Sequence, residues 1–261
     1  MDLRAMLALA ERVVDEAEEM FVAGLGADPA EFKGPGDFAT EVDLEIESSV
    51  RAMLEDTDIP VYGEEAGGAY SSDAVWVVDP IDGTSNYAAG NPMCAILLSL
   101  LVEDQPVLAV TSLPLLHCRL TTVSGGPLVV NGREAPALAT RHGMVTQVGF
   151  SSVSSRSRSP FTTDERLEML GMFAGDSLRP RITGSVGADL ALTAQGIFDG
   201  AISFSPYVWD NAAGVALVRA AGGVVTDIDG RDWTPDSTGV VAGTPEIHAE
   251  LMSTINTVRN S

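Results

Sequence analysis

At 261 residues, 45% of them apolar, the chain is long enough to bury a large core as one domain or as two lobes. Its 37 acidic against 15 basic residues give a formal charge of −22, which argues against nucleic acid or an anionic membrane as partner. No apolar run approaches the roughly 20 residues that span a bilayer, and the acidic first stretch does not read as an export signal.

Leu3, Met6, Leu7, Ala10, Val13, Val14, Ala17, Met20 and Phe21 recur at helical spacing and predict an amphipathic helix, closed by Gly24 and Gly26. Lys33-Gly34-Pro35-Gly36 reads as a flexible turn, and a second helix follows near Asp43 with Ile46, Val50 and Met53 on one face. Val61-Tyr62 and Val75–Val78 read as short strands, then Cys94–Val102, Pro106–Leu113, Arg119–Val123 and Pro127–Val130 as strands with tight connections. The first half is therefore expected to be two helices on a mostly antiparallel sheet. The second half alternates strand and helix: strands at 145–150, 201–204, 224–226 and 240–242, and helices at 164–173, 188–195, 210–221 and 245–258. That alternation predicts an α/β layer. Residues 1–142 are expected to form an N-terminal α+β lobe and residues 143–261 a C-terminal α/β lobe. The serine-rich loop at 151–160, with Arg156 and Arg158, reads as a solvated, mobile connection, with its arginines as anion contacts the alternative. The two cysteines, Cys94 and Cys118, read as buried thiols of a cytoplasmic protein rather than a disulfide.

Chemistry concentrates where strands end. Trp76-Val77-Val78-Asp79 runs into Pro80-Ile81-Asp82-Gly83-Thr84-Ser85, so two aspartates stand three positions apart before a small-residue turn. Glu64 follows another short strand and Gly63, and Asp210 stands at the start of a predicted helix. Each has a plain alternative: Asp79 as a turn residue before proline, Asp82-Gly83 as a turn pair, Asp210 as a helix cap. Together they lie where α/β proteins assemble sites. Their carboxylates and one carbonyl could hold two Mg²⁺ about 4 Å apart. Backbone N–H groups of Gly83, Thr84 and Ser85 could hold a phosphate if they open a helix. A net-negative protein would need such cations to receive an anionic ester. No histidine is placed to activate Thr84 or Ser85, so water is the better nucleophile. Asp43 is the candidate base, acting through Thr84, although Thr40-Glu41-Val42-Asp43 also fits a helix-capping box.

These blocks resemble those of the inositol monophosphatase family. Asp79-Pro80-Ile81-Asp82-Gly83-Thr84 with Asn86 matches one family signature, and Trp209-Asp210 with Ala212-Ala213-Gly214 and Ala221-Gly222-Gly223 matches a second. Gly63-Glu64-Glu65 and Lys33 with Asp37–Asp43 match two more, over a resemblance running from about residue 3 to residue 255. Actinobacterial members are especially similar at Phe38–Leu44 and Val208–Thr226.

The resemblance implies a layered αβαβα sandwich, commonly dimeric, that hydrolyses a small phosphate ester with water activated by two to three Mg²⁺ and is sensitive to lithium. Glu64, Asp79 and the Ile81 carbonyl would hold the first ion; Asp79, Asp82 and Asp210 the second. A weaker third would sit at Glu64 beside Lys33 on a mobile loop. Asp43 and Thr84 would orient the water, and Gly83, Thr84 and Ser85 would bind the phosphate. Asp82, Ser185, Val186 and Asp210 would face the substrate, Val186 with its backbone N–H.

The implied substrate is myo-inositol 1-phosphate. The departures bear on that choice. Inositol-selective relatives often carry a glutamate for the sugar hydroxyls at the position of Ser203, and the stretch from Leu113 to Asn131 is short. Fructose 1,6-bisphosphate, histidinol phosphate and 3′-phosphoadenosine 5′-phosphate are the competing substrates. A nucleotide would want an aromatic platform, and the two nearby rings, Tyr207 and Trp209, read as core or hinge residues. A non-catalytic Mg²⁺- or phosphate-binding protein is the alternative from another class.

Overall fold

The computed structural model describes residues 1–34, 37–140, 145–155, 159–175 and 178–261. The chain opens with α1 (Leu3–Ala23), whose first N–H groups are capped by the Asp2 carboxylate: Arg4 and Ala5 donate to it at 3.0 and 3.2 Å. A hairpin follows, β1 (Pro29–Gly34) and β2 (Asp37–Thr40), then α2 (Glu41–Leu54). Lys33 and Gly34, expected in a turn, instead close β1, while Pro35 and Gly36 lie outside the described residues.

Next come β3 (Val61–Gly63), β4 (Ala74–Asp82) and the short helix α3 (Thr84–Ala88). The meander β5 (Ala95–Val102), β6 (Gln105–Leu113), β7 (Cys118–Val123), β8 (Val129–Val130) and β9 (Arg133–Glu134) follows. These strands make one seven-stranded sheet in the order β3-β4-β5-β6-β7-β8-β9, antiparallel except for the parallel β3–β4 pair.

The second half contains β10 (Thr146–Phe150), α4 (Thr163–Gly175), β11 (Leu178–Arg181), α5 (Val186–Ala194), β12 (Gly200–Ser203) and α6 (Val208–Ala220). It closes with β13 (Val224–Thr226), β14 (Val240–Gly243) and α7 (Pro245–Arg259). Its sheet runs β11-β10-β12-β14-β13 and is mixed: β10 pairs parallel with β11 and β12, whereas β14 is antiparallel to β12 and β13. Sequence alternation alone suggested nothing of β11, which carries Pro180 on the sheet edge, where a missing N–H costs least.

The period-2 alternation of side chains sorts these elements into layers. Trp76 and Val78 of β4 point to a core shared with α1 and α2. Val75 and Val77 point the other way, into a core formed with α5 and α6. That middle core also takes Ala201 of β12 and Val240 and Ala242 of β14, while Ile202 and Val241 face α4 and α7. The order is therefore helix, sheet, helix, sheet, helix: the αβαβα sandwich. Helices α5 and α6 are buried nearly all round, which explains their Ala-rich, largely apolar sequences. The expected division at residues 142 and 143 lies outside the described residues. Cys94 is buried and Cys118 half-buried, and both are free thiols, so only Cys94 matches the expected burial.

Candidate active site

Asp79 and Asp82 differ by an odd number of positions, so in a regular strand they would face opposite sides of the sheet. The pairing of β4 with β5 shifts between them: Asp79 lies opposite Leu97, yet Asp82 lies opposite Ala95. This bulge at Pro80-Ile81 brings both aspartates to one cavity, a common use of bulges beside sites. Proline suits the irregular position because it offers no ladder N–H. Gly83 then turns the chain into α3 at φ +87°, where a Cβ would also meet the Met93 carbonyl at 3.0 Å.

The cavity has a volume of about 340 Å³ and is lined at this end by Glu64, Asp79, Ile81, Asp82, Gly83, Thr84, Ser85 and Asp210. Carboxylate oxygens of Glu64, Asp79 and Asp210 lie within 4.8 Å of one another. Three acids so close, offering only hard oxygen acceptors, fit a divalent cation such as Mg²⁺. Burial first, and then the charges of Glu64, Asp82 and Asp210, hold the Asp79 carboxyl well above the usual carboxylate range. Lys33 on β1 bridges this edge, its ammonium 2.8 Å from both Glu64 and Glu65. Burial pushes Glu65 up to about 7 against the lowering effect of Lys33.

Asp82 is gripped from the far side. The Ser185 hydroxyl and the Gly187 N–H donate to its Oδ2, the latter at 2.6 Å, and the Val186 N–H donates to Oδ1 at 3.3 Å. Burial raises Asp82 to about 6 even though these donors pull it down. Ser185 and the Val186 N–H, expected to face the substrate, are thus directed at Asp82, and of the pair only Val186 lines the cavity.

Asp43 takes part in both arrangements that the sequence left open. Its Oδ2 accepts from the Thr40 N–H at 2.8 Å and the Thr40 hydroxyl at 2.5 Å, completing the capping box. Its Oδ1 stands 3.3 Å from the Thr84 hydroxyl, which also reaches the Ile81 carbonyl at 3.0 Å. One hydroxyl proton serves one of these acceptors at a time. Burial raises the Asp43 carboxyl above its ordinary range, partly offset by Thr40.

Several contributors carried no readable signal in the sequence. Glu47 of α2 looks like an ordinary partner of Arg51 one turn on, but its side chain is only 2% exposed. It accepts from the N–H groups of Glu65 and Ala66 at 2.7 and 3.0 Å and so fixes the turn that carries Glu64. Arg51 neutralises it at 2.6 Å and ties in the Val61 and Gly67 carbonyls. Gly63 is required because a Cβ there would lie 2.4 Å from the Glu47 carboxylate.

The cavity is also lined by Ser151, Ser152, Ser154, Ser159, Arg166 and Phe204–Tyr207. The serine loop is therefore part of the cavity; its Arg156 and Arg158 lie outside the described residues. Tyr207, expected in the core or a hinge, lines the cavity and stacks on Trp209 with centroids 4.8 Å apart. Ser203 is buried, its Oγ accepting from the Ser205 N–H, and Ser205 lines the wall instead.

The family profile for inositol monophosphatases matches residues 2–260. The chain belongs to the inositol monophosphatase family. It is thus a member of a family of phosphatases. It is 49% identical over 251 residues to the probable inositol 1-monophosphatase ImpA of Mycobacterium tuberculosis, covering 95% of this chain and 93% of the relative. It is 47% identical over 255 residues to inositol-1-monophosphatase ImpA of Mycolicibacterium smegmatis, covering 97% and 92%. Among solved structures, the IMPase of Thermotoga maritima superposes with a TM-score of 0.86 at 25% identity, over 100% of this chain and 99% of that one.

Proposed function

We propose that this protein is a Mg²⁺-dependent phosphomonoesterase that converts myo-inositol 1-phosphate and water into inositol and inorganic phosphate. The observation that carries the reading is the convergence of Glu64, Asp79 and Asp210 in a cavity that the Gly83–Ser85 turn also lines, about the size of a small ester. The ImpA relatives, by their names, support inositol 1-phosphate as the substrate.

Glu64, Asp79 and the Ile81 carbonyl would hold one ion, and Asp79, Asp82 and Asp210 a second, with a weaker third at Glu64. Mg²⁺ bound there would supply positive charge to the phosphoryl group and make water a stronger acid. The chain's own groups do the rest. Thr84, poised between Ile81 and Asp43, accepts a hydrogen bond from the attacking water while passing its own proton toward Asp43. Backbone N–H groups of Gly83 and Thr84 and the Ser85 hydroxyl hold phosphate oxygens. Asp82, fixed by Ser185 and Gly187, keeps its orientation as charge develops. Asp210 and the wall at Val186 face the departing alcohol. We further propose that the enzyme works in the cytoplasm as a homodimer and is inhibited by lithium; among the described residues no helix is long and apolar enough to cross a membrane.

The test is phosphate release from inositol 1-phosphate, fructose 1,6-bisphosphate, histidinol phosphate and 3′-phosphoadenosine 5′-phosphate, each with Mg²⁺ and with EDTA. Mg²⁺-dependent release led by inositol 1-phosphate is expected. Release led by another ester would reassign the substrate, and none from any of them by folded protein would favour a binding protein.

A further inference from the structure

Helix α5 carries a single charged residue, Asp189, and buries it to 1% exposure. Its Oδ2 has no hydrogen-bond partner, and its Oδ1 meets the Thr183 hydroxyl at 2.8 Å. A carboxyl buried with so little compensation is unfavourable. Burial holds it well above the usual carboxylate range, against the lowering effect of Thr183. Stability alone would favour another alanine or leucine in this helix, so the acid calls for a different reason.

That reason lies in what Thr183 holds. Its hydroxyl accepts from the Ser185 N–H at 3.2 Å and also reaches the Ser185 carbonyl at 3.1 Å. Its own carbonyl accepts from the Asn86 side chain of α3 at 2.8 Å. Ser185, Val186 and Gly187 in turn donate to Asp82. The same segment packs tightly on the Gly83 turn, where an added Cβ would lie 3.2 Å from Ser185 Cβ and 3.4 Å from the Gly184 carbonyl oxygen. Residues 183–187 are therefore a clamp that touches both Asp82 and the start of α3. Asp189 is itself wedged against β10: a Cβ at Gly149 would lie 2.8 Å from Asp189 Cβ and Cγ.

We propose that Asp189 is a positioning residue for phosphate-ester hydrolysis: anchored on β10, it fixes Thr183 and, through Thr183, the clamp that orients Asp82 and α3. The inference rests on the phosphatase reading above and adds to it a residue that does not line the cavity.

The experiment measures inositol 1-phosphate hydrolysis at saturating Mg²⁺ by Asp189→Ala, Asp189→Asn, Thr183→Val and the double variant Asp189→Ala/Thr183→Val. Asp189→Ala and Thr183→Val should each lower kcat about tenfold with KM within about twofold, and the double variant should be no worse than either. Asp189→Asn should stay within about twofold of wild type, because its amide still pairs with the Thr183 hydroxyl. The metal-free melting temperature of Asp189→Ala should stay within about 3 °C of wild type, since the change sheds a buried acid. Unchanged kcat in Asp189→Ala overturns the proposal. So do losses that multiply in the double variant, an asparagine variant as poor as the alanine one, and a kcat that falls only together with the melting temperature. Should Asp189→Ala fail to fold, Asp189→Asn and Thr183→Val decide: near-wild-type kcat in the first with a tenfold loss in the second supports the role, and any other pattern overturns it. If the wild type releases phosphate from no ester, the phosphatase reading has failed. Calorimetric Mg²⁺ binding to stripped protein then decides the role alone: about tenfold weaker binding by Asp189→Ala, with Asp189→Asn near wild type, supports it, and equal binding by all three overturns it.

Discussion

At the acidic end of the cavity Glu64, Asp79 and Asp210 crowd together against a single lysine; elsewhere along its wall Arg166 is buried among carbonyls, hydroxyls and a ring. The first region raises its own pKa values by burial and mutual repulsion, and the second buries a cation that no described acid neutralises. Both are locally unfavourable, and in opposite senses. Fold stability alone would have paired these charges with each other, so their separation points to function rather than to stability.

The largest effect should come from the acidic end. Asp79→Asn removes a ligand proposed to be shared by two ions, and we expect activity to fall at least about a thousandfold while the metal-free variant unfolds at a higher temperature than metal-free wild type. A variant that loses activity and stability together would show Asp79 to be structural. Next is the support beneath Glu64. Glu47→Ala leaves Arg51 without its buried partner and frees the Glu65 and Ala66 N–H groups, which should cost about 3 kcal/mol in urea unfolding, with weakened Mg²⁺ binding.

A pH series sharpens the contrast. Asp82 rises from 3.8 to about 6 and Glu65 from 4.5 to about 7, so the folded metal-free protein holds protons that the unfolded chain has released. Stability from these groups is complete below about pH 4 and is lost as the pH climbs to about 7. Mg²⁺ competes with those protons. The melting temperature of metal-free protein should therefore fall from pH 5 to pH 7.5, and the rise produced by Mg²⁺ should be larger at pH 7.5; the reverse order would contradict the assigned charges. The smallest effect belongs to Ser185→Ala, which deletes one of three donors to Asp82. It should cost about 1 kcal/mol and move the acid limb of the pH–rate profile upward, because the lost hydrogen bond had favoured the carboxylate.

Much of the acidic end was legible because it is local. Asp79 to Ser85 lie in one stretch, and a strand ending in two aspartates before Gly83 implies both position and chemistry. The layers were legible too, since Val75 and Val77 alternate with Trp76 and Val78. The bulge that aligns Asp79 with Asp82 was not, because it depends on pairing with β5. Glu47 reads as a surface i,i+4 partner, and only the approach of Gly63 makes it buried. The serine–arginine wall was missed for a similar reason. Serines at 151–159 have loop composition, and Arg166 gains meaning only when Phe204 and the 152–154 carbonyls fold over it. Pro180 and its short apolar content likewise hid β11 at the sheet edge.

The most direct measurement is a Mg²⁺ titration of inositol 1-phosphate hydrolysis by protein first stripped with EDTA. The account predicts no phosphate release in chelator and full recovery as Mg²⁺ is added. Undiminished release from the stripped protein would contradict it.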